Sequence, residues 1–89
     1  MTKAECLYEL KLINAIMDEH EEKIQNLKNI FHIAGYVAYM RLRSDKHVFK
    51  LLCKREEILD EIGKLQKENI MYATRFKYLT EIFDELEEP

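Results

Sequence analysis

The sequence predicts an all-α protein built as one long antiparallel helical hairpin, and three observations carry that reading. Apolar residues recur in alternating steps of four and three along almost the whole chain. The composition is helix-rich, with 47% apolar and 35% charged residues but Gly 2 and Pro 1, the proline being Pro89 at the last position. Finally, the apolar rhythm is interrupted once, at Arg41-Leu42-Arg43-Ser44-Asp45-Lys46-His47. With 89 residues the chain has room for one domain and one modest core, and short chains of this kind gain from a second copy or a partner.

The first element starts at Thr2-Lys3-Ala4-Glu5, where a hydroxyl and a carboxylate three residues on have the spacing of a capping box. From there Cys6, Leu10, Ile13, Met17, His20, Ile24, Leu27, Phe31, Ala34 and Ala38 form a seam, predicting helix 1 over about 3–42. A turn is expected over 43–46, with Ser44 as N-cap and Asp45 favouring the dipole of the next helix. The rhythm resumes at Val48 and continues through Leu51, Arg55, Ile58, Ile62, Leu65, Asn69, Tyr72, Phe76, Leu79, Phe83 and Leu86, predicting helix 2 over about 46–87. Gly63 and the stretch Gln66-Lys67-Glu68-Asn69 allow a break near 66–70, but the seam passes through unshifted and favours one continuous helix.

Folding the chain at the turn makes facing residue numbers add to a constant 89: Cys6 meets Phe83, Leu10 meets Leu79, Met17 meets Tyr72 and Phe31 meets Ile58. The same register sets His20 against Asn69, a buried polar layer that fixes alignment, and Ala34 against Arg55. No other histidine or carboxylate is expected in the His20 layer, so that residue reads as structural rather than as a ligand or catalyst. The constant also centres the turn between residues 44 and 45.

One hairpin cannot hide all the remaining apolar residues. Leu12, Ile16, Ile30, Ile33, Val37, Tyr39 and Met40 on helix 1, and Phe49, Leu52, Leu59, Met71, Tyr78 and Ile82 on helix 2, lie off the seam. Exposed apolar surface on that scale is uncommon on a monomer, so a homodimeric four-helix bundle is expected. Its interface is assigned to Ile30, Ile33, Val37, Met40, Phe49 and Leu52, with Ala34, Gly35 and Ala38 small enough for close helix approach.

Charge is sorted along the hairpin. Arg41, Arg43, Lys46, Lys50, Lys54 and Arg55 stand against Asp45 alone, leaving eight basic and sixteen acidic residues elsewhere of the chain's 14 and 17. The turn end is thus a basic pole and the candidate partner-binding site; the bland alternative is a solvated row of lysines at helical spacing. A basic pole fits an acidic protein surface, and contact with nucleic acid is conceivable only through that end. Cys6 and Cys53, in apolar surroundings and far apart, are expected as reduced, buried thiols rather than metal or redox ligands. No catalytic or metal-binding constellation and no cofactor motif is present, and neither a membrane span nor a secretory signal is expected, which points to the cytoplasm.

One enzymatic alternative rests on a family likeness. Arg55-Glu56-Glu57-Ile58-Leu59, followed by Tyr72 to Phe83, resembles the second and third helices of the small all-helical chorismate mutases, with Arg43 at the spacing of a basic residue before the Arg-Glu pair. The resemblance implies a dimer of one long and two shorter helices that grips a dianion with cations. Here Ala15 and His32 fall near the positions where the first helix would supply them, and Leu52 stands where an acidic residue is common. Loss of those charges removes most of such a mechanism. The sequence therefore favours a non-catalytic protein-protein interaction module, a small adaptor, assembly factor or inhibitor working as a helical dimer.

Overall fold

The computed structural model describes residues 1–40 and 45–86, with side chains described outside 38–48. It contains two helices, α1 (Lys3–Met40) and α2 (Asp45–Glu85), and 96% of the described residues are helical, without strands. They pack as an antiparallel hairpin measuring 71 × 14 × 13 Å. Each helix of about 40 residues rises about 60 Å at 1.5 Å per residue, so the molecule is two helices wide along its whole length. No helix is long and apolar enough to cross a membrane among the described residues.

Helix α1 begins where the capping box places it. The Glu5 amide donates to Thr2 Oγ1 at 3.2 Å, and the Cys6 amide donates to the Thr2 carbonyl at 3.0 Å, so two of the first-turn donors are satisfied locally. Helix α2 runs through residues 66–70 without interruption, and Gly63 sits inside it with nothing within 4 Å of where a Cβ would stand. Helix α2 begins at Asp45, one residue before the expected start at about 46. The rest of the expected turn, Arg43 and the Ser44 cap, lies outside the described residues, as does the exact centre of the connection.

The core is the seam. Its buried residues form two clusters, one of Cys6, Leu10, Ile13 and Leu79 with Met17, Tyr72, Phe76, Ile82, Phe83 and Leu86 packed around it, the other of Ile24, Ile58 and Ile62 with Leu27, Phe31 and Leu65. Most seam pairs that add to 89 share a cluster, which is the interlock that the alternating four-three spacing imposes on an antiparallel pair. Cys6 is completely buried and its Sγ lies 3.2 Å from the Leu79 carbonyl, a weak donor satisfied across the helix pair. Cys53, also expected to be buried, is instead exposed. Its helical position points directly away from the seam, and apolar neighbours in sequence say nothing about that direction.

Candidate functional site

Between the two clusters lies the polar layer. His20 Nδ1 is 2.8 Å from Asn69 Oδ1, and Asn69 Nδ2 donates to the Met17 carbonyl at 3.4 Å. The second bond turns the Asn69 oxygen toward the ring, so Nδ1 carries the proton and donates. One neighbour departs from the sequence reading: Glu68 Oε2 lies 3.7 Å from His20 Nε2, so a carboxylate does share this layer. Glu68 precedes Asn69 on the flank of α2, and its long side chain reaches back over the ring, which pairing seam positions alone does not capture. Tyr72 tilts against the imidazole with centroids 5.9 Å apart. His20 and Asn69, expected as a buried layer, are half-buried: the hairpin is two helices wide, so one layer cannot be enclosed on all sides, and the contacts between them join the two helices at this level.

Of the basic pole, Arg41 and Arg43 lie outside the described residues, and the Lys46 side chain does as well. Lys50 and Lys54 are exposed, Lys54 beside Glu57 at 3.8 Å in an open ion pair of little energetic weight. Arg55 is placed differently from its neighbours. Its Nε donates to the Phe31 carbonyl at 3.3 Å, and its Cζ sits 4.0 Å above the Phe31 ring. A Cβ on Gly35 would come within 2.9 Å of the guanidinium carbon, so Gly35 is the slot in α1 through which the arginine lies flat. Gly35, one of the small residues expected to allow close helix approach, accommodates this cation within the hairpin, and Arg55 is committed to the seam rather than offered outward with the two lysines.

The apolar residues off the seam sort onto two opposite sides of the hairpin. One side is marked by Glu9 of α1 and Arg75 of α2, whose ion pair crosses between the helices at 3.1 Å. Ile16, Ile30 and Val37 follow Glu9 at multiples of seven, with Leu12 and Ile33 beside them, so all of these lie on that side. Lys54, at seven-residue spacing from Arg75, and Lys50 share it. The opposite side is marked by a cleft lined by Lys28 of α1 and by Gln66, Ile70 and Ala73 of α2. Leu52 and Leu59 precede Gln66 and Ala73 by sevens, and Phe49 and Gly63 precede Ile70 in the same way. A second cleft on this side has Phe49, Leu52 and Leu59 along one wall and Arg55 over Phe31 as its floor.

The interface expected from the sequence therefore divides. Ile30, Ile33 and Val37 open on the Glu9 side, whereas Phe49 and Leu52 open on the Lys28 side; the Met40 side chain lies outside the described residues. Being off the seam does not tell on which flank a residue stands, and only its position just before or just after the seam does. These are well-exposed surfaces, with Ile33 63%, Phe49 68% and Ile70 68% accessible. Ile70 is among the exposed apolar residues the sequence reading missed, with Leu7, Tyr8 and Tyr36; its seven-residue step from Gly63 and fourteen from Glu56 was the available signal. Ala15 and His32, where a dianion-binding helix would carry cations, are both exposed. No group of His, Cys, Asp and Glu among the described residues is arranged to hold a metal ion. No protein family, no curated protein and no solved structure matches this chain.

Proposed function

We propose that this chain is a non-catalytic protein-protein interaction module, acting as a helical dimer in the manner of a small adaptor, assembly factor or inhibitor. The carrying observation is the amount of surface left open. The hairpin exposes 7317 Å². A compact monomer of 10.7 kDa would expose about 5,500 Å² by the usual scaling with mass. An excess of this size, carrying Ile30, Ile33, Val37, Phe49, Leu52, Leu59 and Ile70, is more than one partner contributes to a standard interface, about 800 Å².

The partner-binding end is assigned to the basic pole, Lys50 and Lys54 together with Arg41, Arg43 and Lys46. On the Glu9 side the two described lysines adjoin the apolar Ile30-Ile33-Val37 stripe, a pairing suited to an amphipathic helix with acidic flanks. The exposed Cys53 thiol is in keeping with a reducing compartment such as the cytoplasm. Commitment of Arg55 to Phe31 and Gly35 weighs against the chorismate-mutase-like alternative, in which that arginine grips substrate.

Light scattering coupled to size-exclusion chromatography tests the dimer, with a mass of twice 10.7 kDa expected at micromolar concentration. A monomer retaining full helicity would overturn it. For the partner, affinity capture from the native host should recover a protein that Ile33→Asp loses.

A further inference from the structure

We infer that the second copy docks on the Lys28 side, α2 against α2 in antiparallel fashion, with the two-fold axis at the level of Glu61. The inference rests on the dimeric reading above and deepens it by naming the face, the orientation and the register. Along this side α2 carries Phe49, Leu52, Glu56, Leu59, Gly63, Gln66, Ile70 and Ala73 at alternating steps of three and four, a second seam on the helix. A two-fold contact is self-complementary, so each residue must suit the one an equal distance beyond the axis.

About Glu61 they do. Phe49 meets the partner's Ala73, Leu52 meets the partner's Ile70, Leu59 meets the partner's Gly63, and Glu56 meets the partner's Gln66. Phe49 and Leu59 each face a small residue, Leu52 and Ile70 face each other as two aliphatic side chains, the two polar residues face each other, and no apolar residue of the stripe is left over. Slipping the pairing by one heptad in one direction sets Phe49 against Gln66 and Leu59 against Glu56. In the other direction it sets Leu52 against Lys77 and Glu56 against Ala73. Either slip buries polar groups against apolar ones.

One independent feature agrees with this register. Gly63 interrupts a 41-residue helix at a helix-propensity penalty, yet within the hairpin nothing lies within 4 Å of its missing Cβ. A second copy bringing Leu59 onto that spot gives the glycine a packing role. The contact runs from Phe49 to Ala73, about 36 Å of helix. It leaves the Glu9 side, with Ile30, Ile33, Val37, Lys50 and Lys54, uncovered for another protein.

The test is sedimentation equilibrium on the full chain and on variants at exposed positions, where the fold does not depend on the side chain. Leu52→Asp and Ile70→Asp should each weaken self-association by about tenfold or more, since each change occurs twice in the contact. Ile33→Asp should leave it unchanged. Gln66→Glu should weaken it severalfold by facing the partner's Glu56, and adding Glu56→Lys should restore it, a rescue that no folding defect mimics. Dissociation by Ile33→Asp with none by Leu52→Asp would overturn this face while keeping the dimer. Failure of the charge reversal to rescue would overturn the register. A wild-type chain that stays monomeric would remove both this inference and the dimer on which it rests.

Discussion

The two halves of the hairpin solve the same packing problem to different degrees. At the open end, Cys6, Leu10, Ile13 and Leu79 are sealed by Met17, Tyr72, Phe76, Phe83 and Leu86, and Lys3 lies 4.8 Å over the Phe83 ring. Toward the connection only Ile24, Ile58 and Ile62 are buried in the described cluster, and an arginine replaces the next apolar seam residue. Surface exposure does not separate the halves: Ile30, Ile33, Phe49, Leu52 and Leu59 are exposed toward the connection, and Leu7, Tyr8, Leu12, Ile70, Met71 and Tyr78 toward the open end. The difference between the halves thus lies in the seam, which is apolar and sealed at the open end and interrupted by Arg55 toward the connection.

The largest single effect should come from breaking the closed half. Leu79 is 3% exposed and central to its cluster. Leu79→Ala should cost about 2–4 kcal/mol in urea unfolding, from lost transfer energy plus an unfilled cavity. If the open end is self-sufficient, that cost is the same at low and high protein concentration. Ile62→Ala, beside the stripe on which a second copy is proposed to dock, should show a midpoint that depends on concentration in a way the wild type shares. A concentration-dependent cost at Leu79 would erase the contrast between the halves.

Next in size is the layer that divides them. Asn69→Leu leaves the half-buried His20 Nδ1 without its partner, while the Met17 carbonyl keeps its helical bond, and should cost about 1–3 kcal/mol. His20→Leu together with Asn69→Leu replaces both members by apolar groups and should recover most of that loss, at the expense of register specificity. Native-state hydrogen exchange is the check: a slipped alignment would blur protection across both clusters, and an unchanged pattern would show that the seam alone sets register.

Much of this was legible before the structure, and the reasons differ by residue. The seam, the Thr2 cap and the His20-Asn69 match follow from periodicity and spacing, because a heptad pattern dictates which residues an antiparallel partner meets. Glu68 beside His20 was not legible, since it depends on how a flexible flanking side chain leans. The Arg55 stack was half legible: the numbering brings Arg55 to Ala34, but the guanidinium reaches past it to Phe31 and Gly35. The flanks were least legible, because a list of off-seam residues carries no left or right until Glu9-Arg75 and the Lys28 cleft mark the two sides.

That stack sets up a smaller effect at the connection end. Gly35→Ala gains about 1 kcal/mol of helix propensity but pushes its Cβ to 2.9 Å from the guanidinium carbon, displacing Arg55 from the Phe31 ring and carbonyl. The two effects should nearly cancel in the wild-type background. With Arg55→Ala already present, Gly35→Ala should be stabilising by the full propensity gain. A double-mutant cycle therefore should show coupling of about 1 kcal/mol, and additivity would mean that the stack contributes nothing.

The smallest expected effect is the most local reading of the difference between the halves, because each half holds one cysteine. Cys53 faces away from the seam toward the connection end, so Cys53→Ser should change stability by less than about 0.5 kcal/mol. Cys6 is 0% exposed and bonded to the Leu79 carbonyl, so its thiol meets reagent only when the open end separates. In the Cys53→Ser background, labelling of Cys6 should be slow and should accelerate with Leu79→Ala in proportion to the stability lost. In the wild type, Cys53 should react at once with a thiol reagent. Fast labelling of Cys6 in the intact hairpin would mean that the open end frays at little cost, and its seam would then not be the sealed one.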